Sequence, residues 1–340
     1  MSRLEAISRA REHFQSGEFL KILDRRVGYR TESQQPNSGA ALRAYLVEDL
    51  KPAFAELDFT TRLIESPSGK GPYLLAEYRE DASLPTVLTY GHGDVVDGMA
   101  GEWRDNLDPW RTTIKGERVY GRGTADNKGQ HSINLSALRM VREARGGMLG
   151  FNAKFIIETG EEIGSPDLRR VCEGLRDELA ADLFLASDGP RLRADTPMLY
   201  LGSRGVMNFS LALKLREGGH HSGNWGGLLA NPATILANAL AGIVDRRGRI
   251  LLDALRAPPP TEAVRRALAD CAVEGGPEPG ASIDPDWGEP GFTPAERVFS
   301  SNTFEVLAMT AGNPSEPVNA VPPSAVAHCQ MRSSTDRDRS

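Results

Sequence analysis

Short apolar runs that alternate with helical patterns dominate the first half of the chain. Three such runs, at 86–90, 154–157 and 183–186, each end in a corner rich in glycine and acidic residues. Runs of this kind are typical of strands that are buried on both faces of a sheet. The apolar spacing between the first two predicts a helix over 128–144 that stops before Gly146. Strands that alternate with helices predict an α/β domain with a mostly parallel central sheet.

The pattern changes after Gly205. Apolar and polar residues alternate over 209–216, which predicts a strand with one solvated face. Asn231 is a predicted helix N-cap, because a proline and an apolar helical period follow it. This helix is predicted to end at Gly248. An irregular connection over 257–294 and strands at 304–309 and 325–331 are predicted to follow it. This arrangement predicts a second, two-layer α+β domain, and we place its start at 204.

Composition and charge narrow the function. The chain has 340 residues, 40% hydrophobic and 25% charged, with a formal net charge of -6. These values are typical of a globular protein and argue against a nucleic-acid partner. Three scattered cysteines are too few for a disulfide framework or a zinc finger, which favours a reducing, cytoplasmic setting. The charged N-terminus does not resemble a signal peptide, and no apolar stretch is long enough to predict a membrane span.

Acidic residues follow each of the three buried-strand candidates, and the first corner also contains a histidine. In open α/β sheets, ligands bind outside the carboxyl ends of the strands, so side chains from distant corners can meet there. A Gly-rich loop before the 128–144 helix adds one more carboxylate. The residues predicted to converge are His92, Asp94, Asp126, Glu161, Glu162 and Asp188.

Carboxylates that converge in one cleft repel each other and need a compensating positive charge. A pair of divalent metal ions supplies that charge. One histidine with several carboxylates suits zinc, with manganese or cobalt as alternatives. Each residue also has a simpler interpretation: His92 as a strand-end histidine, Asp126 as a helix N-cap, Glu161 and Glu162 as a solvated turn, and Asp188 as a turn aspartate.

A series of motifs resembles a known family. In chain order they are GHGDVV, GRGTADNKGQ, ETGEEIGS and SDGP, followed by GGHHSGNWGGLLANP. The series resembles the aminoacylase–carnosinase family of co-catalytic di-zinc peptidases and deacylases, and the last motif is nearest to the lid of its dipeptidase members. The resemblance covers roughly 60–333. It implies a zinc-exopeptidase-like α/β catalytic domain with a mostly parallel sheet, plus a two-layer α+β lid or dimerisation domain.

The resemblance also implies a domain division and a role for each site residue. Residues 1–203 would be the first part of the catalytic metal-binding domain, 204–335 the lid and 336–340 a polar tail. The implied roles are His92 and Asp188 on one metal, Asp126 as a bridge, Glu162 on the second metal, Glu161 as general base, Asp94 orienting His92, and His221 of the lid stabilising the oxyanion. Arg204 either contacts a substrate carboxylate or forms an interdomain ion pair.

The chain departs from the family at the last metal ligand, a histidine in the closing part of the catalytic domain. His328 lies within a predicted strand, so we do not assign it as that ligand. We expect either an incomplete chain of a normal enzyme or a short relative with an impaired second metal site. In both cases one metal would be held firmly and the second weakly, through Glu162 and Asp126. Low or absent activity and poor solubility of this chain are then expected.

The expected function is metal-dependent hydrolysis. The resemblance implies cleavage of the amide bond of a dipeptide or short peptide by metal-activated water, with Glu161 as general base. An N-acyl amino acid deacylase, acting on acetyl or succinyl groups, is the alternative within the family. A catalytically impaired homologue that only binds or assembles is the alternative of another class, and a homodimer through the lid is an expected assembly.

Overall fold

The computed structural model describes residues 3–189, 199–200, 203–271, 273 and 283–334. The chain divides into two compact units, 1–190 and 191–340. The domain start at 204 and the functional labels of the two domains remain predictions. The predicted polar tail at 336–340 lies outside the described residues.

The first unit is built from helices on a central sheet. Its helices are α1 (Arg3–Gln15), α2 (Glu18–Val27), α3 (Gly39–Ala44), α4 (Lys51–Ala55), α5 (Lys128–Ala144) and α6 (Leu168–Gly174). A π-helical turn, Tyr45–Leu50, joins α3 to α4, and single 3₁₀ turns occur at Arg104–Asn106 and Glu161–Ile163. Its strands are β1 (Thr60–Ile64), β2 (Tyr73–Tyr78), β3 (Thr86–His92), β4 (Thr113–Lys115), β5 (Arg118–Tyr120), β6 (Asn152–Glu158) and β7 (Leu183–Ala186).

Five strands form the central sheet in the order β1-β2-β6-β3-β7. The α/β prediction is confirmed, and the predicted 128–144 helix is α5. The sheet is mixed, because β1, β2 and β6 pair antiparallel while β6, β3 and β7 pair parallel. The predicted parallel character therefore holds only for the three strands that carry the site.

The parallel register brings the three corners to one edge of the sheet. His92 is the last residue of β3 and lies opposite Glu158, the last residue of β6. Tyr90 of β3 lies opposite Ala186, the last residue of β7. The corners after these strands therefore start side by side, as the rule for ligand sites in open sheets requires.

The core lies between this sheet and the helices. Phe54, Phe59 and Phe155 make close aromatic contacts, with Phe155 of β6 only 2% exposed. Such burial stabilises by about 25 cal/mol per Å² of apolar surface removed from water. Strand β6 is thus anchored in the core three residues before its terminal Glu158.

Strand β7 differs from the prediction of burial on both faces. Leu183, Phe184 and Leu185 are 56%, 60% and 45% exposed. The range was predicted correctly, but β7 is an edge strand in the described sheet and so pairs only with β3. An apolar run identifies a strand without identifying how many neighbours cover it.

The second unit is a small antiparallel sheet with helices. Its helices are α7 (Ser222–Trp225), α8 (Pro232–Ile243), α9 (Glu262–Leu268) and α10 (Pro294–Phe299), with a 3₁₀ turn at Asp253–Leu255. Its strands are β8 (Gly205–Lys214), β9 (His220–His221), β10 (Thr303–Ala311), β11 (Ala320–Val321) and β12 (Ser324–Ser333). The main sheet has the order β10-β12-β8. Among all described residues, none of the helices has the length and apolar character required to span a membrane.

Helix α8 packs on one face of that sheet. Its Leu236 contributes to a buried cluster with Phe304 and Ala327 from the strands. Asn231 is its N-cap, as predicted, because the side-chain oxygen accepts the backbone N–H of Ala233 at 2.9 Å. The predicted end at Gly248 was wrong, because α8 ends at Ile243 and Gly248 belongs to a following turn. Helix α9 lies within the connection that was predicted to be irregular.

Candidate metal centre

The centre begins with His92, which the end of β3 places in the interior with no exposed surface. Its Nε2 lies 2.8 Å from Oδ1 of Asp126, in the loop before α5, and 3.9 Å from Oδ2 of Asp188, in the corner after β7. Ligand atoms of these three residues all lie within 4.8 Å of one another. One ion could contact all three side chains.

A second set of ligand atoms shares the same histidine. Glu161 and Glu162 lie in the 3₁₀ turn after β6, and Oε2 of Glu161 is 3.9 Å from Nε2 of His92. Their ligand atoms also lie within 4.8 Å of one another and of His92. The structure thus groups Glu162 with His92, and its expected sharing of a metal with Asp126 remains a prediction.

The turn that carries the two glutamates closes on itself. The N–H of Ser165 donates to the carbonyl of Gly160 at 2.8 Å, and that of Gly164 donates to the carbonyl of Glu161 at 2.7 Å. This is the bond pattern of a Schellman motif, and it requires the left-handed φ of 86° that Gly164 adopts. The sequence GEEIGS therefore fixes the backbone of both glutamates.

Asp94 connects this turn to the histidine. The fully buried carboxylate accepts the backbone N–H groups of Glu161 at 3.3 Å and Glu162 at 3.1 Å. Its Oδ1 also lies 3.3 Å from Nδ1 of His92, whose other contact is the carbonyl of Asp94 at 3.1 Å. The arrangement leaves Nε2 of His92 directed at the carboxylates. The expectation that Asp94 orients His92 is consistent with these distances.

Asn127 was not predicted to contribute. Its Oδ1 accepts the backbone N–H of His92 at 3.2 Å. Its Nδ2 donates to the carbonyl of Ser187 at 2.7 Å and to Oδ1 of Asp188 at 3.3 Å. The side chain thereby ties β3 to the corner after β7. Its position between Asp126 and the start of α5 is the sequence signal that could have indicated this role.

His131 lies beneath the site in α5 and is 1% exposed. Its Nε2 is 2.5 Å from the hydroxyl of Tyr45, and its Nδ1 is 3.4 Å from Oδ1 of Asn127. Burial places the pKa of His131 well below its ordinary value, so it remains neutral and supports Asn127.

The charges of the cluster are balanced through His92. Burial lowers the pKa of this imidazole, but hydrogen bonds to Asp126 and Asp94 outweigh burial and raise it to about 11. The same hydrogen bond holds the pKa of Asp126 below its ordinary value. A proton on His92 thus provides positive charge that the carboxylates require.

The pKa values of Glu161, Glu162 and Asp188 are raised, because these carboxylates are buried close to one another. Burial raises the pKa of Glu161 and of Asp188, and repulsion from neighbouring carboxylates adds to it. Burial, followed by the charge of Asp126, raises the pKa of Glu162 to about 7. One imidazole and four carboxylates form a donor set that suits a zinc-type divalent ion. The residues present therefore fit the metal that the sequence implies.

The two candidates of the second unit have different surroundings. His221 is exposed in β9, and its Nδ1 accepts the backbone N–H of Gly223 at 3.1 Å. The neutral ring must therefore carry its proton on Nε2. Arg204 is half-buried and donates to the carbonyl of Ser301 and to Oγ1 of Thr303, at 3.4 and 3.2 Å. Its proposed substrate and interdomain contacts remain predictions.

His328 lies on β12, where its Nδ1 is 2.8 Å from Oγ of Ser210 on the neighbouring strand. His328 therefore has a hydrogen-bond partner within its own sheet, and its exclusion as a metal ligand remains a prediction.

The chain matches known proteins in sequence and in fold. The family described as "Peptidase family M20/M25/M40" matches residues 88–328. Beta-Ala-His dipeptidase of Mus musculus is 32% identical over 250 residues, 69% of this chain and 50% of its own length. Cysteinylglycine-S-conjugate dipeptidase of Corynebacterium striatum is 30% identical over 257 residues, 73% of this chain and 53% of its own length.

Two solved structures resemble the chain in fold. Human carnosine dipeptidase 1 matches with a TM-score of 0.71 and 25% identity, over 98% of this chain and 73% of that one. The metallo-carboxypeptidase Sso-CP2 from Sulfolobus solfataricus matches with a TM-score of 0.76 and 25% identity, over 94% and 72%. The chain spans about half the length of the curated relatives it matches.

Proposed function

The chain belongs to the peptidase family M20/M25/M40, and from this premise we propose that it is a metal-dependent hydrolase of dipeptides or other short peptides. One observation carries the proposal, namely the convergence of ligand atoms from His92, Asp126 and Asp188 within 4.8 Å. Dipeptidases among the similar proteins support this substrate class.

In this proposal, His92, Asp126 and Asp188 would hold one zinc ion firmly. Glu162, with Asp126, would hold a second ion. Bound zinc acidifies water and polarises the carbonyl of the scissile amide. Asp94 keeps the imidazole of His92 oriented, since both of its contacts to Nδ1 leave Nε2 free to bind.

Glu161 is the proposed general base. It accepts a proton from the attacking water at its carboxylate and passes that proton to the leaving amine. Its raised pKa, caused first by burial, moves the carboxylate toward the range in which both transfers are favourable near neutral pH. Its place in the closed turn after β6 fixes the backbone from which it acts.

The second unit would supply groups that bind the substrate. The Nε2–H of His221 is proposed to donate to the carbonyl oxygen as negative charge develops there, which lowers the energy of the transition state. The guanidinium of Arg204 is proposed to bind the substrate carboxylate. A homodimer through this unit and a cytoplasmic location complete the proposal.

The test is hydrolysis of β-Ala-His and Cys-Gly by the zinc-loaded protein, followed by mass spectrometry of the released amino acids. Release of the amino acids of either dipeptide is the expected result. Glu161→Gln should lower kcat by about 10²–10⁴-fold while zinc binding is retained. Glu173→Gln, a change on the exposed face of α6, is the matched control and should leave kcat unchanged.

Other outcomes separate the alternatives. Release of acetate or succinate from N-acyl amino acids, without dipeptide cleavage, would favour a deacylase over a dipeptidase. Zinc binding without turnover of either substrate class would contradict a hydrolase and favour a binding or assembly protein.

A further inference from the structure

Glu158 is a buried carboxylate that the proposed reaction does not use. It is the last residue of β6, has no exposed surface and lies opposite His92 in the parallel register. Burial raises its pKa, in spite of two hydrogen bonds that lower it. Because burial of an acidic group costs free energy, its position between two functional corners calls for an explanation.

The two hydrogen bonds converge on a single oxygen. Oε1 of Glu158 accepts the hydroxyl of Tyr90 at 2.7 Å and the hydroxyl of Ser165 at 2.8 Å. Tyr90 belongs to β3, two residues before His92, and Ser165 closes the turn that carries the two glutamates. Oε2 is buried and has no hydrogen-bond partner among the described residues. One carboxylate oxygen therefore joins the strand of the histidine to the turn of the glutamates.

This contact complements the one made by Asp94. Asp94 holds the start of the turn through the N–H groups of Glu161 and Glu162, whereas Glu158 holds its end through Ser165. Ser165 itself adopts a φ of 47°, a left-handed conformation that is uncommon for residues other than glycine. A second attachment at this position restrains the turn from both ends.

We propose that Glu158 is a positioning residue, which sets the distance between His92 and the pair Glu161 and Glu162 through its hydrogen bonds to Tyr90 and Ser165. The inference rests on the proposed function for its catalytic consequence only. Its effect on metal binding follows from geometry and can be measured without turnover. The acceptor oxygen, and not the negative charge, is the essential feature.

The experiment is calorimetric zinc titration of the full chain, with hydrogen exchange of the peptide over 158–168 measured in parallel. Ser165→Ala removes one hydrogen bond and leaves the buried carboxylate in place. We expect about a tenfold loss of zinc affinity, within the 10–100-fold range for residues that support metal ligands, and faster exchange of the peptide. Tyr90→Phe should act in the same direction.

Three variants sharpen the result. Glu158→Gln retains an acceptor oxygen and should restore affinity to within about threefold of the wild type, whereas Glu158→Leu should not. Tyr78→Phe is the matched control, because it also removes a tyrosine hydroxyl, but one that donates to Glu80 and not to Glu158. If Glu158→Leu does not fold, the zinc affinity and hydrogen exchange of Ser165→Ala decide whether the inference holds.

Wild-type zinc affinity and exchange in Ser165→Ala would overturn the inference, as would equal losses in Glu158→Gln and Glu158→Leu. If the wild type binds zinc but cleaves no dipeptide, the proposed function fails while the titration still tests Glu158. If dipeptides are cleaved, Ser165→Ala should lower kcat with little change in KM, because only the positioning of the base and the metal is altered.

Discussion

In the first unit most candidate residues lie at or just after the ends of neighbouring strands, whereas in the second they lie on a two-residue strand and just before a long one. His92 and Asp94 are fully buried and have several hydrogen-bond partners each. His221 is exposed and is held through one hydrogen bond to Gly223. A metal centre needs preset distances, which the ends of buried strands provide.

The comparison extends to the cores. The first unit packs aromatic side chains around Phe155, and the second packs Leu236 of α8 against strands β10 and β12. Each core is built from residues of its own unit. The two units should therefore respond separately to damage.

The largest expected effect is that of a core truncation. Phe155→Ala should destabilise the first unit by about 3–5 kcal/mol, and Leu236→Ala the second by about 2–5 kcal/mol, because each leaves a cavity. Hydrogen exchange with mass spectrometry assigns each loss to its unit. Equal acceleration of exchange in both units by either variant would contradict their independence.

A smaller effect is expected from pH through His131, which is buried in the first unit. The folded state keeps His131 neutral, while the unfolded chain protonates it near pH 6.5. His131 therefore contributes stability at pH 7 that is lost as the pH is lowered to 5, by up to about 2 kcal/mol. Urea unfolding of the wild type and of His131→Gln at both pH values measures it. An identical pH dependence in the two proteins would contradict the assignment.

The smallest expected effect lies in the second unit. Asn231→Ala removes the N-cap of α8 and should cost about 1 kcal/mol. Asn238→Ala is the matched control on the same helix, because its side chain donates to the carbonyl of Thr234 on the exposed face. Urea unfolding compares them. A cost no larger for Asn231→Ala than for Asn238→Ala would show that the cap does not stabilise the helix.

The sequence predicted best where local rules are sufficient. Helix α5 was predicted at its observed bounds, because an apolar period and two glycines define it. The strand at 183–186 was also located correctly, but its exposure was not, since exposure depends on the number of neighbouring strands. Hydrophobic periodicity shows which positions of one segment are buried. The order of the strands in the sheet depends on other segments of the chain.

Among the site residues, too, some could be predicted from local sequence patterns and others could not. The residues that converge at the candidate centre were predicted to lie together because strand-end corners and family-like motifs mark them. Asn127 and Glu158 were missed because their contacts join residues far apart in the chain, such as Asn127 with Ser187 and Glu158 with Tyr90. Nothing in the spacing of either segment indicates which distant donor or acceptor it will meet.

The most direct test of the account is zinc binding by the full chain, measured by calorimetry with metal content determined in parallel. The account predicts at least one tightly bound zinc ion per chain. His92→Ala should weaken it by more than about 100-fold, beyond the range for residues that only support ligands, and His328→Ala in the second unit should leave it unchanged. Wild-type zinc affinity in His92→Ala, or no zinc binding by the wild type, would contradict the account.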